Sequence, residues 1–189
     1  MTAHLHKPEG VVLDLDGTLV DTVHTRIDAW LQTFEEKGIP ADRSLVAELI
    51  GSDGRQLARI VGAAAGEEVD DERAERIDAR SGAIYSELNV APQPLPGATE
   101  FLDALDELKI HWAIATSSRR EQVGRSVAAL HRNQPPLIAD GATVKLAKPH
   151  PDLGITAGSA MSPDQLRTAG ARLVLPTMAH LIPHLKREA

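Results

Sequence analysis

The sequence predicts an α/β protein whose core is a doubly wound, Rossmann-like parallel sheet, with an all-helical cap inserted after the first strand. A short apolar run at residues 11–16, which carries two acids at its end, is typical of a buried parallel strand. Four amphipathic segments without strand signals follow between residues 21 and 90. After a proline-rich connector at residues 91–97, helix and strand patterns alternate, which indicates right-handed βαβ units.

This pattern predicts two domains. A chain of 189 residues is long enough for one core domain and a small accessory domain. The core is expected at residues 1–20 and 95–189, and the cap at residues 21–94. An insertion of this length has the size of a small lid.

The cap helices follow from apolar residues at helical spacing. Ile27, Trp30 and Phe34 lie on one face of the first helix, which the glycine and proline at residues 38–40 end. Two shorter helices are expected around residues 45–49 and 57–61, separated by the glycines at 51 and 54, and a longer one is expected around residues 74–88.

The core elements after the connector alternate in type. A helix is predicted at residues 101–108, a strand at 111–116, a helix that opens with a capping box at 118–121, and a weak strand at 137–139. A second capping box at residues 162–165, a strand at 172–175 and a C-terminal helix complete the predicted order.

The composition excludes several classes of function. The formal net charge is -7 and the sequence pI is ≈ 5.6, so the chain lacks the basic footprint that binds nucleic acid or anionic membranes. The absence of cysteine excludes disulfides, thiolate catalysis and cysteine-based zinc sites. No apolar run is typical of a signal peptide or long enough for a membrane helix. We expect a cytoplasmic protein that is a monomer or weak dimer.

Two acids stand at the carboxyl end of the first predicted strand, in the motif Asp14-Leu15-Asp16-Gly17-Thr18. Doubly wound sheets bind ligands beyond this end, and side chains two apart on a strand share a face, so both acids should point toward the crevice. A carboxylate can attack phosphorus, and a second carboxylic acid can protonate the leaving oxygen and later deprotonate water. Gly17 allows a tight turn whose backbone N–H groups can reach a phosphate. Ordinary Asp-Gly turn chemistry is the alternative explanation of the motif.

Other segments carry groups suited to phosphate. Thr116 and Ser117 follow a predicted strand, just before a helix N-terminus where a hydroxyl can hold a phosphate oxygen, and an N-cap role for Ser118 is compatible with this. Lys148 lies next to two prolines in an extended loop, where a fixed ammonium could neutralise a carboxylate and a phosphate. Arg55, in the cap loop, could reach a substrate anion when the lid closes. For Lys148 and Arg55, a solvated surface charge is the commoner case.

These motifs, in this order, resemble those of the haloacid dehalogenase-like hydrolases. The resemblance rests on residues 14–21, 116–117 and 148–152 and runs from about residue 11 to residue 152. It implies a Rossmann-like core with a helical cap, and Mg²⁺-dependent hydrolysis of a small phosphorylated metabolite through an aspartyl-phosphate intermediate.

The resemblance also implies a role for each site residue. Asp14 would be the nucleophile and Asp16 the acid/base, and Mg²⁺ would bind the Asp14 carboxylate and the Asp16 backbone carbonyl. Thr116 would bind phosphate, and Lys148 would position both the nucleophile and the phosphate. The predicted substrate-binding residues are Gly17, Ser117 and Arg55.

Within the family, the second acid and the cap narrow the expectation. Family members that cleave carbon–halogen bonds lack an acid at the position of Asp16, so its presence favours phosphate esters or phosphoryl transfer. The pair Ala29-Trp30 and the cap length resemble the branch that contains phosphoglycolate phosphatase and β-phosphoglucomutase. In the mutases a histidine stands where this chain has Arg26, and His24 is two residues short of that position, which favours hydrolysis over a mutase reaction.

The chain departs from the family after Lys148. The family's fourth motif is a strand ending in an acid that completes the Mg²⁺ site, but the acids that follow here, Asp152, Asp164 and Glu188, do not end an apolar strand. We expect the core to lack this strand and its flanking helices, roughly 35 to 40 residues. Residues 154–159 would then pair with the first strand, or that strand would become an edge. The alternatives to an active phosphatase are a non-catalytic phosphate-binding member of the family and a phosphoryl transferase.

Overall fold

The computed structural model describes residues 10–132, 137–140 and 177–185. Three strands, β1 (Gly10–Leu13), β2 (His111–Ala115) and β3 (Leu137–Ala139), form a parallel sheet in the order β1-β2-β3. Leu13 pairs with Ile114, and Ile114 pairs with Ile138, so the carboxyl ends of the three strands lie side by side. The predicted α/β fold with a parallel sheet is confirmed.

Strand β1 lies at one end of this sheet. Within the described residues, β2 is the only strand that pairs with β1, and Val12 of β1 is 53% exposed. The segment predicted to cover that edge, residues 154–159, lies outside the described residues, as do the second capping box and the strand predicted at 172–175. The absence of the fourth-motif strand stays a prediction.

Four helices form the cap: α1 (Val23–Glu36), α2 (Arg43–Leu49), α3 (Gly54–Ala64) and α4 (Asp71–Leu88). Before each of the last three stands an aspartate whose carboxylate accepts a hydrogen bond from a backbone N–H of the first turn, which satisfies a donor that has no partner within the helix. Their apolar faces share one core, which includes Ile27, Trp30, Phe34, Val46, Leu57, Val61 and Ile77. The predicted helical cap is confirmed, whereas its exact boundaries at residues 21 and 94 stay a prediction.

A second apolar core lies against the sheet. Helices α5 (Ala98–Glu107) and α6 (Arg120–Ala128) pack here, together with a 3₁₀ turn (Met178–Leu181) and the short helix α7 (Ile182–Leu185). This core includes Leu13, Leu15, Phe101, Leu102, Leu105, Ile114, Val123 and Leu185. Among the described helices, none combines the length and the apolar composition that a membrane span requires.

The two segments that join core and cap run side by side. The Leu95 N–H donates to the Leu19 carbonyl at 2.9 Å, and the Asp21 N–H donates to the Gln93 carbonyl at 2.9 Å. The proline-rich connector therefore returns the chain to the core next to the point where it leaves. The cap is thus joined to the core beside the crevice at the carboxyl end of β1.

The predicted capping box at residues 118–121 is wrong. Helix α6 begins at Arg120 with Arg119 as its N-cap residue, and no side chain caps it. The Ser118 hydroxyl donates instead to the Asp16 carboxylate at 2.8 Å. A hydrogen bond to a carboxylate is stronger than one between neutral groups, and this contact takes Ser118 away from the helix and into the site.

Candidate active site

Asp14 follows directly on β1 and is half-buried. After it, the chain makes a tight turn in which the N–H groups of Thr18, Leu19 and Val20 all donate to the Leu15 carbonyl. Gly17 adopts a φ of 76° here, a left-handed conformation that glycine allows without steric cost. The turn brings the Thr18 hydroxyl to 3.3 Å from one Asp14 carboxylate oxygen.

Four donors surround the carboxylate of Asp16. The Thr22 hydroxyl and the Tyr85 hydroxyl donate to Oδ1, at 2.6 and 3.2 Å. The Arg26 guanidinium and the Ser118 hydroxyl donate to Oδ2, at 3.0 and 2.8 Å. Three of these donors come from the cap or the segment leading into it, and Ser118 comes from the turn after β2, so Asp16 lies where cap and core meet.

This environment controls two ionisation equilibria. Burial raises the pKa of Asp16, but the positive charge of Arg26 and the hydrogen bonds from Thr22 and Ser118 outweigh burial, so the pKa lies below the ordinary 3.8. Burial and the nearby Asp16 carboxylate raise the pKa of Tyr85 to about 12. At neutral pH Asp16 is therefore ionised, while Tyr85 keeps its proton and acts as a donor.

Thr116 and Ser117 lie beside the two acids because β1 and β2 are parallel neighbours. Thr116 is buried, its N–H donates to the Ala139 carbonyl at 2.9 Å, and its hydroxyl oxygen accepts from the Ser118 N–H at 3.1 Å. Ser117 is half-buried. The predicted phosphate-binding turn thus stands next to the strand that carries Asp14.

Arg26 connects the cap to the core at this point. Its guanidinium donates to the Ser118 hydroxyl oxygen at 2.5 Å and to the Gln122 side-chain carbonyl at 3.2 Å, besides Asp16. The guanidinium carbon lies 3.4 Å from the centre of the Tyr85 ring, which is a cation–π contact. The sequence did not predict these contacts of Arg26, and it did not identify Thr22, Tyr85 or Gln122 as site residues.

Arg55 lies in a separate charge cluster. It pairs with Asp53 at 2.8 Å and lies 3.9 Å from Glu75, which also binds Arg119, the residue after Ser118. The guanidinium of Arg55 donates its hydrogen bonds to the neighbouring Asp53, and the role of Arg55 in substrate binding stays a prediction. Lys148 lies outside the described residues.

The oxygen donors for a metal are few. Asp14 offers a half-buried carboxylate, and the Asp16 carbonyl lies two residues further on. In the part of the chain that the structure describes, no group of three acidic, histidine or cysteine side chains is placed to hold a metal ion.

Comparison with known proteins identifies the family. The model of the haloacid dehalogenase-like hydrolases matches residues 11–161. The chain belongs to this family, as the three motifs predict.

Curated relatives place the chain within the family. A validoxylamine A 7'-phosphate phosphatase from Streptomyces hygroscopicus subsp. limoneus is 29% identical over 80% of this chain and 70% of its own length. A β-phosphoglucomutase from Bacillus subtilis is 28% identical over 81% of this chain and 70% of its own length. A phosphoglycolate phosphatase from Rhodospirillum rubrum is 29% identical over 87% of this chain and 76% of its own length. The predicted branch of phosphoglycolate phosphatase and β-phosphoglucomutase is confirmed.

One solved structure matches nearly from end to end. A hydrolase from Pseudomonas syringae superposes with a TM-score of 0.83 at 26% identity, over 93% of this chain and 97% of that chain. A solved hydrolase therefore shares the fold of this chain over nearly the whole length of both chains.

Proposed function

We propose that this chain is a phosphatase that hydrolyses the monoester of a small metabolite with Mg²⁺, through an aspartyl-phosphate on Asp14. The observation that carries the proposal is the placement of Asp14 and Asp16 after β1, beside the Thr116 turn after β2. Two of the relatives are named as phosphatases of small phosphorylated compounds, which supports the same reaction class.

The reaction has two steps with balanced bonds. In the first, an Asp14 carboxylate oxygen attacks phosphorus and the phosphorus–ester oxygen bond breaks, while Asp16, in the protonated form that the second step regenerates, gives its proton to the departing alkoxide. In the second, Asp16 takes a proton from water while the water oxygen attacks phosphorus, which breaks the bond to Asp14 and releases inorganic phosphate. Thr116 and the backbone N–H groups near Gly17 would hold the phosphate oxygens throughout.

Asp16 must change its contacts during this cycle. An ionised carboxylate has about four acceptor positions, and a proton occupies one of them. Since four donors surround Asp16 in the structure, at least one of them must withdraw, or one of the three hydroxyls must turn to accept, before Asp16 can carry a proton.

The donor set near Asp14 fits Mg²⁺ in a weak site. Mg²⁺ is commonly held by one or two carboxylates together with substrate phosphate and water. The Asp14 carboxylate and the Asp16 carbonyl would hold it here. When bound, the ion supplies positive charge beside the phosphate, where two anions must approach each other.

The test of the proposed function is hydrolysis of p-nitrophenyl phosphate with added Mg²⁺ by Asp14→Asn. This variant keeps the side-chain shape and removes the nucleophilic charge, so we expect turnover to fall by a factor of about 10³ or more. Asp28→Asn is the matched control, because Asp28 lies exposed on α1 and pairs with Arg43, another exposed residue of the cap. Substantial turnover by Asp14→Asn would exclude the aspartyl-phosphate.

Phosphoryl transfer is the second candidate, because one relative is a β-phosphoglucomutase. The two reactions differ in where the phosphoryl group goes. Product analysis with and without an added acceptor sugar distinguishes them, since only a transferase gives a new sugar phosphate.

A further inference from the structure

The guanidinium of Arg26 is almost buried between cap and core. Its side chain is 13% exposed, and its contacts on the core side are Asp16, Ser118 and Gln122. The ring of Tyr85 lies against its face at 3.4 Å. These contacts hold the positive charge of Arg26, a cap residue, at the edge of the crevice that Asp14 and Asp16 face.

The proposed reaction requires Asp16 to leave this arrangement. Both carboxylate oxygens already accept hydrogen bonds, Oδ1 from Thr22 and Tyr85 and Oδ2 from Arg26 and Ser118. The acid/base must direct one oxygen at the leaving group of the ester. Arg26 reaches Oδ2 of Asp16 in two ways, directly and through the Ser118 hydroxyl. Arg26 is also the charged donor of the four, so its charge would be left behind.

An arginine left without an anion in this place is unfavourable. The guanidinium carries a positive charge, and a buried charge that loses its partner is strongly destabilised. Gln122, Ser118 and the Tyr85 ring offer only neutral contacts. A new anion that arrives with the substrate would restore the pairing.

We propose that Arg26 is a specificity-determining residue, which exchanges the Asp16 carboxylate for a carboxylate on the alcohol side of the substrate. The replaced partner is itself a carboxylate, so a substrate carboxylate reproduces its planar, two-oxygen geometry. The alcohol side follows from position, because Arg26 reaches in from the cap and contacts Asp16, the acid/base that serves the leaving oxygen of the ester. The inference rests on the proposed function.

This exchange couples recognition to catalysis. A substrate with the carboxylate would bind Arg26 and, in the same event, free Asp16 to approach the leaving oxygen. A substrate with a neutral alcohol group would free Asp16 only by leaving Arg26 unpaired. The preference should therefore be visible in kcat/KM for matched substrates.

The test compares phosphoglycolate with phosphoglycolamide, in which an uncharged amide replaces the carboxylate. We expect the native chain to prefer phosphoglycolate, and Arg26→Gln to reduce the ratio of the two kcat/KM values by roughly 10- to 100-fold, as is typical of a lost hydrogen bond to a charged group. Arg26→Lys keeps the charge without the planar fork, so the ratio should fall several-fold. If Arg26→Gln does not fold, the ratio measured for Arg26→Lys tests the inference in its place.

Arg125→Gln is the matched control, because Arg125 also joins core to cap but donates to the neutral carbonyls of Ser86 and Asn89. Its ratio should equal that of the native chain. An Arg26→Gln variant that loses activity equally on both substrates, or a native ratio near one, would overturn the inference. Hydrolysis of p-nitrophenyl phosphate by the native chain tests the proposed function separately, because that ester carries no carboxylate.

Discussion

Asp16 illustrates what single residues contribute to this site. One carboxylate accepts hydrogen bonds from Thr22, Arg26, Tyr85 and Ser118. The charge of Arg26 and the hydrogen bonds from Arg26, Thr22 and Ser118 together overcome the cost of burying its charge. The motif order predicted Asp14, Asp16 and Thr116 as site residues. It could not predict the contact with Tyr85, which is 69 residues away in the chain, or the contact with Ser118, which is 102 residues away.

Gly97 provides a test at the scale of one residue. Its φ is 84°, and an added Cβ would lie 2.6 Å from the backbone nitrogen of Ala179. Gly97→Ala should therefore lose about 2–4 kcal/mol of unfolding free energy, since left-handed strain and a clash with rigid backbone add together. Urea unfolding measures the loss.

Gly66→Ala is the control for that measurement. Gly66 has a φ of 76°, but its added Cβ would meet nothing within 4 Å, so only the strain of about 1–2 kcal/mol applies. Equal losses for the two variants would show that residues 177–185 do not pack against the start of α5.

At the scale of elements, helices α4 and α6 form a polar contact between cap and core. Arg119 pairs with Glu75 and Asp78, and Arg125 donates to the last carbonyls of α4. Gly82 lets the helices approach closely, since an added Cβ there would overlap the Gln122 side chain. Such a contact is held by directional bonds and not by apolar burial, which suits two parts that separate to admit a substrate.

Asp78 tests the electrostatics of this helix pair. Burial raises the pKa of Asp78, and the negative charges of Glu75 and Asp53 raise it further. The positive charge of Arg119 lowers the pKa, but by less than the other effects together raise it, so the pKa lies above the ordinary 3.8. The ionised form is then less favourable in the folded chain than in the unfolded chain. The ionised Asp78 therefore destabilises the folded chain at a pH above the pKa that Asp78 has in the folded state. This destabilisation vanishes as the pH falls below the pKa that Asp78 has in the unfolded chain.

Asp78→Asn should therefore raise the free energy of unfolding at neutral pH, and the gain should disappear as the pH falls below about 3.8. Thermal or urea unfolding across this pH range measures the difference between the two chains. A destabilised variant at neutral pH would mean that the ion pair with Arg119 outweighs burial.

At the scale of the whole molecule, the main feature is how much of its relatives' length the chain covers. It covers 70–76% of the three curated relatives but 97% of the Pseudomonas syringae hydrolase. The predicted loss of the fourth motif would remove both a carboxylate for Mg²⁺ and a strand that holds β1. In phosphoryl transfer the protein mainly contributes position and charge, so both losses act on the same step.

We therefore expect this chain to bind Mg²⁺ weakly and to turn over slowly. The measurement is a Mg²⁺ titration of aryl phosphate hydrolysis, by this chain and by a version with a family-like helix–strand–helix inserted after Leu153. The longer version should reach half-maximal activity at lower Mg²⁺ and a higher maximum. Indistinguishable titrations would show that the fourth motif is dispensable here.

The sequence by itself determined the local elements and the order of the motifs. Helical spacing predicted α1 to α4, and the apolar runs predicted β1 and β2, because hydrophobic periodicity is a property of neighbouring residues. Paired acids after the first strand indicated the reaction class for the same reason: strand, turn and acids lie within eight residues of one another.

Only the tertiary structure decided which partners these acids have. The capping box predicted at 118–121 is wrong because the Ser118 hydroxyl donates to the carboxylate of Asp16, in the turn after β1, and no local pattern contains that partner. Arg26 and Tyr85 meet Asp16 because α1 and α4 pack together over the crevice. Helix packing depends on the shapes of whole faces, so the charge that surrounds Asp16 is set by the folded chain and not by the motif that carries it.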